Sequence, residues 1–405
     1  MNSTLGPAEA APSMAKARAN LLVTTPGERA AHSVAADAGV PIAHLDPDRP
    51  PWLRIPIAAT PAKPHARQEG ASERGPLETD SHVMFFTSGS TGAPKGTVLS
   101  HRVSCLRTFP PNAPAPPGAT VCMFPLFHMA AWTLALGCWQ ARQEIVLVPR
   151  PDPELLLSAV VQRRARRIYL IPAVWGRILA HLERDVGRWD LATLEEADTG
   201  TSATPPELLS AIHRALPQTR TRVLYGSTEA GSASTLSFED IERKPGSVGL
   251  PSLGVELRLT EQGEVCVRSE LLMEGYFEDP EATAIALRDG WYHTGDLGQT
   301  DEEGFLYIVG RVLDVIRTGG ETVAPAEVEQ VLRSLGSIAE VVVVGAPDDQ
   351  WGEVVCAVVV PANEERIELE DLRAACTGLA SFKQPRRLEV VDSLPRTAAT
   401  GQVQR

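Results

Sequence analysis

Between residue 83 and about residue 250, short apolar runs alternate with segments of helical spacing, and this rhythm constrains the fold more than any other feature. The runs have the length and composition of buried strands: "TVCMFPL", "EIVLVP", "RIYLIP" and "TRVLYG". The segments "MAAWTLALGCWQA" and "PDPELLLSAVVQRRA" have the spacing of helices, and the second places acids first and arginines last, as the helix dipole favours. Alternating units of this kind predict an α/β fold with parallel strands.

The pattern changes after about residue 250. The segment "VELRLTEQGEVCVRS" alternates around a Glu-Gln-Gly turn and predicts a β-hairpin. Further on, strands such as "IAEVVVVGAP" follow the helix "PAEVEQVLRSLG", as in a βαβ unit. We therefore expect a large domain over residues 1–310 and a small α+β domain over residues 311–405.

The first 80 residues give weaker signals. Residues 1–20 are rich in alanine and are expected to fray, whereas "NLLVTT" and "PIAHLD" predict short strands around a helix. Residues 47–80 are dense in proline and charge, which predicts a surface connection.

Composition excludes several classes of function. The chain has 405 residues and a net charge of −13, which disfavours nucleic acid and anionic membranes as partners. Its six cysteines form no C-x-x-C pair and no His/Cys cluster with zinc spacing, so we expect reduced thiols in a cytoplasmic protein. No uncharged apolar run is long enough to cross a bilayer, and the first residues lack the pattern of a signal peptide.

The stretch "FFTSGSTGAPKGT" follows an apolar run and predicts a phosphate-binding loop. It does not have P-loop spacing, because counting from Gly89 puts Pro94 where the second glycine belongs. Glycines that let backbone N–H groups approach, hydroxyls and one lysine can still hold a phosphate. A flexible polar linker is the alternative. The candidate phosphate-binding residues are Thr87, Ser88, Gly89, Ser90, Thr91 and Lys95.

This stretch resembles the signature of the adenylate-forming superfamily, which contains acyl-CoA ligases, peptide-synthetase adenylation domains and luciferases. Four further motifs resemble that superfamily in its order: "YGSTEAG", "YHTGDLG", "GRVLDVIRTGGETVAPAEVE" and "LPRTAATGQVQR". The resemblance covers residues 80–405. It implies a large AMP-binding and acyl-pocket domain, a hinge at 311–313 and a small mobile α+β domain.

The resemblance also implies a nucleotide site. Asp296 would accept the ribose hydroxyls, Tyr225 would stack on adenine, and Thr228 would donate to the α-phosphate as a catalytic residue. Glu229 would be a catalytic Mg²⁺ ligand, since Mg²⁺ prefers carboxylate and phosphate oxygens. The remaining residues implied for AMP are Gly200, Gly226, Ser227 and Arg311. Each of four residues also has a purely structural alternative. Asp296 could cap a loop, Glu229 could be solvated at a helix start, Tyr225 could belong to the core, and Arg311 could form a surface ion pair.

An acyl pocket and a channel for CoA are implied in the same way. His128 matches a histidine that the family often places beside the acyl group, although a buried structural histidine has the same sequence signature. The candidate pocket residues are Trp132, Val174 and Trp175, each of which also suits core packing. The candidate residues for the CoA channel are Gly319, Gly320 and Glu321, where a tight turn is the alternative.

Three features of the sequence depart from the family pattern. Gln402 replaces the lysine that offsets repulsion between the carboxylate and the α-phosphate during adenylation, and an amide carries no charge. Leu313 replaces the usual polar hinge residue. The phosphate loop also comes early, so that residues 1–80 are a reduced N-terminal section, which could expose apolar surface and favour a homo-oligomer.

These departures lead us to expect an enzyme that binds an acyl-AMP and transfers the acyl group to CoA, with adenylation of its own weak or absent. A separate adenylating enzyme would then supply the adenylate. One alternative is a complete two-step ATP-dependent ligase that uses another cation, such as Lys383. A second alternative is a non-catalytic protein that binds acyl-adenylate or CoA. The acyl group remains open among aryl, fatty and terpenoid acids, and the thiol could belong to a carrier protein.

Overall fold

The strands predicted from the apolar runs are present in the computed structural model, which describes residues 7–19, 22–24, 29–44, 57–58, 75–88, 94–108, 118–148, 150–312, 314–363, 366–396 and 403. The chain divides into two units, residues 1–151 with 270–285 and residues 152–269 with 286–405. The helices of the described residues are α1 (Pro7–Ala17), α2 (Arg29–Asp37), α3 (His101–Thr108), α4 (Met129–Gln140), α5 (Pro153–Arg163), α6 (Pro172–Arg184), α7 (Pro206–Ala215), α8 (Pro280–Ala286), α9 (Pro325–Leu332) and α10 (Leu369–Ala375). Within these residues, none of the helices has the length and apolar character needed to span a membrane.

The N-terminal segment is more ordered than the sequence suggested. Its alanine-rich start forms α1, which packs on α2 through the buried Met14, Val34 and Ala35, so the expectation of a frayed end was wrong for residues 7–17. The predicted strands on either side of α2 are confirmed: β1 (Leu22–Thr24) pairs in parallel with β2 (Ile42–His44). Strand β2 also pairs with β3 (Ile57–Ala58), the one part of residues 47–74 that is described.

The phosphate-loop motif lies on a hairpin in the first unit. Strand β4 (Ser81–Ser88) pairs antiparallel with β5 (Pro94–Ser100), which also pairs with β15 (Gly275–Tyr276). The second half of the motif is therefore strand rather than loop. After the hairpin, the parallel strands β6 (Ala119–Cys122) and β7 (Glu144–Leu147) flank α4, as the sequence predicts.

The second unit contains the predicted parallel strands. They are β8 (Arg167–Leu170), β9 (Glu196–Gly200) and β10 (Arg220–Ser227), and the order continues through β11 (Gly231–Leu236) to β12 (Leu250–Pro251). Helices α6 and α7 pack on each other and present their apolar faces to the core. The turn from β10 to β11 spans a few residues only, which places "YGSTEAG" at the carboxyl end of the parallel strands.

A buried ion cluster crosses these strands. Asp198 on β9 is fully buried, and its two carboxylate oxygens lie 2.6 Å from Arg167 Nη2 and 2.8 Å from Arg222 Nε. Burial opposes ionisation of Asp198, but the two arginines outweigh it, so the pKa of this carboxyl is lowered. Both arginines also pair with Glu196, so removing the Asp198 charge would weaken the cluster and leave the arginines with this more exposed partner.

An antiparallel sheet carries the "YHTGDLG" motif. The predicted hairpin is confirmed as β13 (Val255–Leu259) and β14 (Glu264–Ser269). Strand β14 pairs with β17 (Trp291–Thr300), which contains the motif and pairs in turn with β16 (Leu287–Arg288) and β18 (Leu306–Arg311).

The chain after residue 311 forms a small α+β layer, as predicted. Its strands are β19 (Ile316–Thr318), β20 (Glu321–Val323), β21 (Ile338–Asp348), β22 (Gly352–Pro361) and β23 (Arg387–Val390). Consecutive β21 and β22 are antiparallel, and the parallel pair is instead β22 with β23, across α10. The expected βαβ unit is therefore formed by β22, α10 and β23, one strand later than the sequence indicated. The domain boundary at residues 310–311 and the self-association of the chain stay predictions.

Candidate functional site

The carboxyl ends of β9 and β10 bring backbone atoms into close approach. Gly200 pairs with Leu224 across the parallel strands. A Cβ at Gly200 would overlap the carbonyl oxygen of Leu224 and lie 3.0 Å from Tyr169 Oη. A Cβ at Gly226 would overlap the carbonyl oxygen of Gly231. Both glycines are thus required by close approach of the protein's own backbone. Their contact with adenine stays a prediction.

Three predicted site residues come together in the second unit. Tyr225 Oη donates a hydrogen bond to Asp296 Oδ2 at 2.7 Å. Arg311 Nε lies 3.0 Å from the other oxygen, Asp296 Oδ1. Asp296 and Arg311 are register partners on β17 and β18, so the strand pairing sets this geometry. The bond from Tyr225 was not foreseen; it gives the tyrosine a second task besides the predicted stacking.

The surroundings change how these groups titrate. Burial raises the pKa of Asp296, while Arg311 and the hydrogen bond from Tyr225 act in the opposite direction. Burial, together with the charge of Asp296, raises the pKa of Tyr225, so the phenol remains a hydrogen-bond donor across the physiological range. A carboxylate fixed by one neutral donor and one cation retains the acceptor lone pairs that a ribose diol requires.

Thr228 and Glu229 lie in the turn between β10 and β11. Ser227 Oγ accepts a hydrogen bond from the backbone N–H of Ala230 at 3.1 Å and so closes the turn. Glu229 is 7% exposed and Thr228 is half-buried. The Glu229 carboxylate is a hard oxygen donor of the kind that Mg²⁺ prefers, so the residue type fits the predicted ion.

Three residues that the sequence analysis did not single out support the ribose motif. Glu264 on β14 accepts a hydrogen bond from Gly295 N at 3.1 Å through Oε1. Its other oxygen, Oε2, lies 2.8 Å from His293 Nδ1. The fully buried Cys266 faces the same imidazole, with Sγ 3.4 Å from Nδ1. The histidine in "YHTGDLG" and the glutamate after the hairpin glycine were the only sequence signals for this arrangement.

The phosphate-loop hairpin of the first unit brings its two ends together. Thr87 and Lys95 are register partners, and Ser88 is opposite Pro94. Lys95 Nζ lies 5.0 Å from the centroid of the Tyr276 ring, a cation–π contact that holds the ammonium beside the hairpin. Gly89, Ser90 and Thr91 lie outside the described residues, so their part in phosphate binding stays a prediction.

His128 is the N-cap of α4. Its Nδ1 accepts a hydrogen bond from Ala130 N at 3.2 Å, and its ring stacks on Phe124. Burial lowers the pKa of His128, so the imidazole is neutral and Nε2 carries the proton. Trp132, one turn further along α4, has its ring near His82 and Phe85. The structural role of His128 is thus evident, and its catalytic role stays a prediction.

Val174 and Trp175, the other predicted acyl-pocket residues, belong to the buried face of α6. Each is 1% exposed, and Trp175 Nε1 donates to the carbonyl oxygen of Asp198 at 3.0 Å. This placement favours the packing alternative, and a contact with an acyl group stays a prediction.

The predicted CoA residues form the two-residue turn between β19 and β20. Gly319 and Gly320 both have positive φ, +59° and +86°, and Glu321 pairs with Thr318 across the turn. A Cβ at Gly319 would overlap the Trp351 ring, on which the Arg386 guanidinium also lies, 4.2 Å from the centroid. The tight turn that the sequence analysis gave as the alternative is therefore present. Lining of a CoA channel by the turn stays a prediction.

Two of the three departures lie outside the described residues, namely Leu313 and Gln402. Lys383, the cation considered as a substitute, forms an ion pair with Glu327 Oε2 within the small domain. Because both residues belong to that domain, a rotation of the domain would not separate them.

Comparison with known proteins gives the class. The profile of the AMP-binding enzyme family matches residues 1–277, and that of the AMP-binding enzyme C-terminal domain matches residues 327–400. The chain therefore belongs to the AMP-binding enzyme family, the adenylate-forming superfamily that includes the acyl-CoA ligases. The resemblance drawn from the five motifs is confirmed, and so is the α/β fold with its small C-terminal domain.

Individual relatives place the chain among the acid–thiol ligases. It is 34% identical to a feruloyl-CoA synthase from Amycolatopsis sp, over 98% of this chain and 80% of the relative. Among solved structures, the amide bond synthetase McbA from Marinactinospora thermotolerans shares 28% identity with a TM-score of 0.82, covering 98% of this chain and 81% of that one. An o-succinylbenzoate CoA synthetase from Bacillus subtilis, solved with its acyl-adenylate intermediate, shares 25% identity with a TM-score of 0.79, covering 100% of this chain and 81% of that one.

Proposed function

We propose that the protein is an ATP-dependent acyl-CoA ligase that carries out two half-reactions. In the first, a carboxylate attacks the α-phosphate of ATP, giving acyl-AMP and releasing pyrophosphate. In the second, the thiol of CoA attacks the acyl carbon, giving the thioester and releasing AMP. The observation that carries the proposal is the arrangement of Tyr225 and Arg311 around the Asp296 carboxylate. The relatives named as CoA synthases favour this complete reaction over the transfer-only function expected from the sequence.

We assign each group of the first half-reaction to a residue of suitable chemistry. Asp296 binds the ribose hydroxyls, and Thr228 donates to the α-phosphate. Glu229 holds Mg²⁺, which supplies neutralisation of phosphate charge when bound. Lys95 is assigned to phosphate as a point charge. Positioning and charge stabilisation of this kind are the main contributions a protein makes to phosphoryl and adenylyl transfer.

Gln402 makes adenylation the slower half-reaction in this proposal. Losing one preorganised donor to a transition state typically costs on the order of 10²–10³ in rate. Lys383 does not replace the missing charge here, because Glu327 holds it. Thioesterification starts from a mixed anhydride that is already activated, so the same substitution should affect it far less. If adenylation proves absent, the transfer-only enzyme with a separate adenylating partner is the second candidate, and Gln402 is the observation that favours it.

For the substrates, we propose an aromatic carboxylate and free CoA. The first follows from the likeness to feruloyl-CoA synthase. The second rests on that likeness and on Gly320, where open space lies beside the backbone on the side that a Cβ would occupy. An amine acceptor, suggested by the amide bond synthetase, is an outcome that the assay below distinguishes.

Two assays test the proposal. Exchange of labelled pyrophosphate into ATP, measured with a panel of aryl acids, reports the first half-reaction. Synthetic feruloyl-AMP mixed with CoA, or with an amine, reports the second and its acceptor. We expect slow exchange, fast thioester formation and no amide. The variant Asp296→Asn is the control that should lose both reactions. Formation of amide without thioester would contradict CoA as the acceptor. No exchange in the first assay and no product in the second would contradict the proposed function.

A further inference from the structure

We propose that Glu264, Cys266 and His293 form a binding site for a soft divalent cation of the Zn²⁺ type, on the sheet that carries the ribose motif. Among the described residues, this is the one place where three side chains of metal-ligating type bring their donor atoms within 4.8 Å of one another. The site is separate from the Mg²⁺ ligand assigned above, and it does not depend on the proposed ligase reaction.

Strand register builds the cluster. Cys266 on β14 and His293 on β17 are direct partners of an antiparallel pair, so their side chains project from the same face. Glu264 lies two residues before Cys266 on β14, and at this spacing both side chains project from the same face. The pairing with β17 shifts register between these two residues. Because the three side chains share one face, the carboxylate lies beside the imidazole, and register irregularities of this kind are common near functional sites.

The distances fit one ion. His293 Nδ1 is the nitrogen nearest to both other donors, 2.8 Å from Glu264 Oε2 and 3.4 Å from Cys266 Sγ. Zinc bonds of about 2.0–2.3 Å in tetrahedral geometry place the donors roughly 3.3–3.6 Å apart. The thiol and imidazole already meet this separation, and the carboxylate needs to retreat by a fraction of an ångström. Thiolate, imidazole and carboxylate are also the donors that zinc sites use, and three of them leave a fourth position open.

The carboxylate is held in place for this role. Its second oxygen, Oε1, accepts the backbone N–H of Gly295, and this bond uses no lone pair of Oε2. Outer hydrogen bonds of this type orient metal ligands. A cation bound here would tie β14 to β17 three residues before Asp296.

The Arg288 side chain competes with a bound cation for Glu264. Arg288 Nη2 lies 3.1 Å from Glu264 Oε2, the oxygen that the ion would use. The Arg288 side chain is 41% exposed and can move into solvent. Arg258, whose guanidinium lies 4.4 Å from the Trp291 ring centroid, adds a second positive charge near the thiol. Both arginines repel an incoming cation, so removing one of them should tighten binding.

Binding also requires a proton to leave. A cysteine thiol with its ordinary pKa of about 8.5 is mostly protonated at neutral pH, whereas a metal binds the thiolate. The S–H bond breaks, the proton passes to solvent, and a Zn–S bond forms without any change in oxidation state. Release of one proton for each bound ion is therefore part of the proposal.

The test uses the full chain after chelator treatment and dialysis, without nucleotide, on a Cys105→Ser background that removes the exposed thiol. The probes are Zn²⁺ by calorimetry and Co²⁺ by its thiolate charge-transfer absorption. We expect one equivalent of Co²⁺ bound with that absorption, and a higher melting temperature with Zn²⁺. Cys266→Ala and His293→Gln should each abolish the absorption. Cys356→Ala, which removes another buried strand thiol, should retain it.

Arg288→Gln separates a metal site from a cluster that is only hydrogen-bonded. Because the substitution removes a positive charge next to the ion, Zn²⁺ should bind at least about tenfold more tightly. This variant changes a partly exposed residue and keeps the proposal falsifiable if the buried variants do not fold. The proposal is overturned if the wild-type protein shows no Co²⁺–thiolate absorption, if that absorption survives Cys266→Ala, or if Arg288→Gln weakens Zn²⁺ binding.

Discussion

Substituting Tyr225 by Phe tests the central contact of the proposed nucleoside site. The change keeps an aromatic ring for adenine and removes only the oxygen that donates to Asp296 Oδ2 at 2.7 Å. A hydrogen bond to a charged group contributes about 1.5–3 kcal/mol. Arg311 would then be the remaining partner described for the Asp296 carboxylate, and because its side chain is 69% exposed it would hold that carboxylate only weakly. We therefore expect the Kd for AMP to rise by about 10- to 100-fold, since each 1.4 kcal/mol is a factor of ten.

The pH dependence gives a second readout. Ribose binding needs the ionised carboxylate, and burial raises the pKa of Asp296, so AMP affinity should fall with decreasing pH earlier than for an ordinary aspartate. The bond from Tyr225 lowers that pKa. Removing it should move the acid limb of the AMP-binding profile to still higher pH.

Calorimetric titration of AMP from pH 5 to pH 8 measures both quantities. Tyr307→Phe is the matched control, because its hydroxyl also donates to a carboxylate, Asp301, on the same sheet but away from the predicted ribose contact. An unchanged Kd and an unmoved acid limb in Tyr225→Phe would refute the positioning role and leave Tyr225 as a stacking ring only.

Three further predictions concern other parts of the chain. Gln402→Lys should raise pyrophosphate exchange by about 10²-fold and leave transfer from acyl-AMP to CoA unchanged, as measured by the two assays in parallel. Asp198→Asn should lower the free energy of unfolding by at most about 3 kcal/mol in denaturant melts, because two arginines lose their buried charged partner and keep only Glu196. Since the folded pKa of Asp198 is lowered, its contribution in the wild type is present above the unfolded value of about 3.9 and fades as pH falls below it. Gly319→Ala, strained at φ +59° and crowded by Trp351, should slow thioester formation and spare exchange, whereas equal loss in both would contradict the CoA assignment.

The fold was largely predictable because its strands and helices carry strong local patterns. The runs around Leu170 and Val223 lie on the predicted parallel strands, and the Glu-Gln-Gly turn joins β13 to β14. Two errors have a physical reason. The alanine-rich start is a helix because Met14 is buried against α2, a tertiary contact that composition does not reveal. Residues 94–100 are strand because they pair on both sides, which overrides the loop-like Pro-Lys-Gly.

The site was predictable only motif by motif. Each motif is a short stretch that resembles the superfamily pattern, and this resemblance made Asp296 and Glu229 candidates whose roles stay predictions. The bond between Tyr225 and Asp296 joins residues 71 positions apart and depends on how two sheets meet. The cluster of Cys266 and His293 depends in the same way on strand register, which is why metal-ligand spacing in the sequence gave no sign of it.

The most direct test of the proposed function is a single reaction containing the purified chain, ATP, Mg²⁺, ferulate and CoA, analysed for thioester, AMP and pyrophosphate. We predict feruloyl-CoA or a related aryl thioester from the acid panel, with one AMP and one pyrophosphate for each thioester, at a rate that Gln402→Lys increases. If the chain forms no thioester from ATP with any acid of the panel, and none from feruloyl-AMP with CoA, the assignment as an acyl-CoA ligase is contradicted.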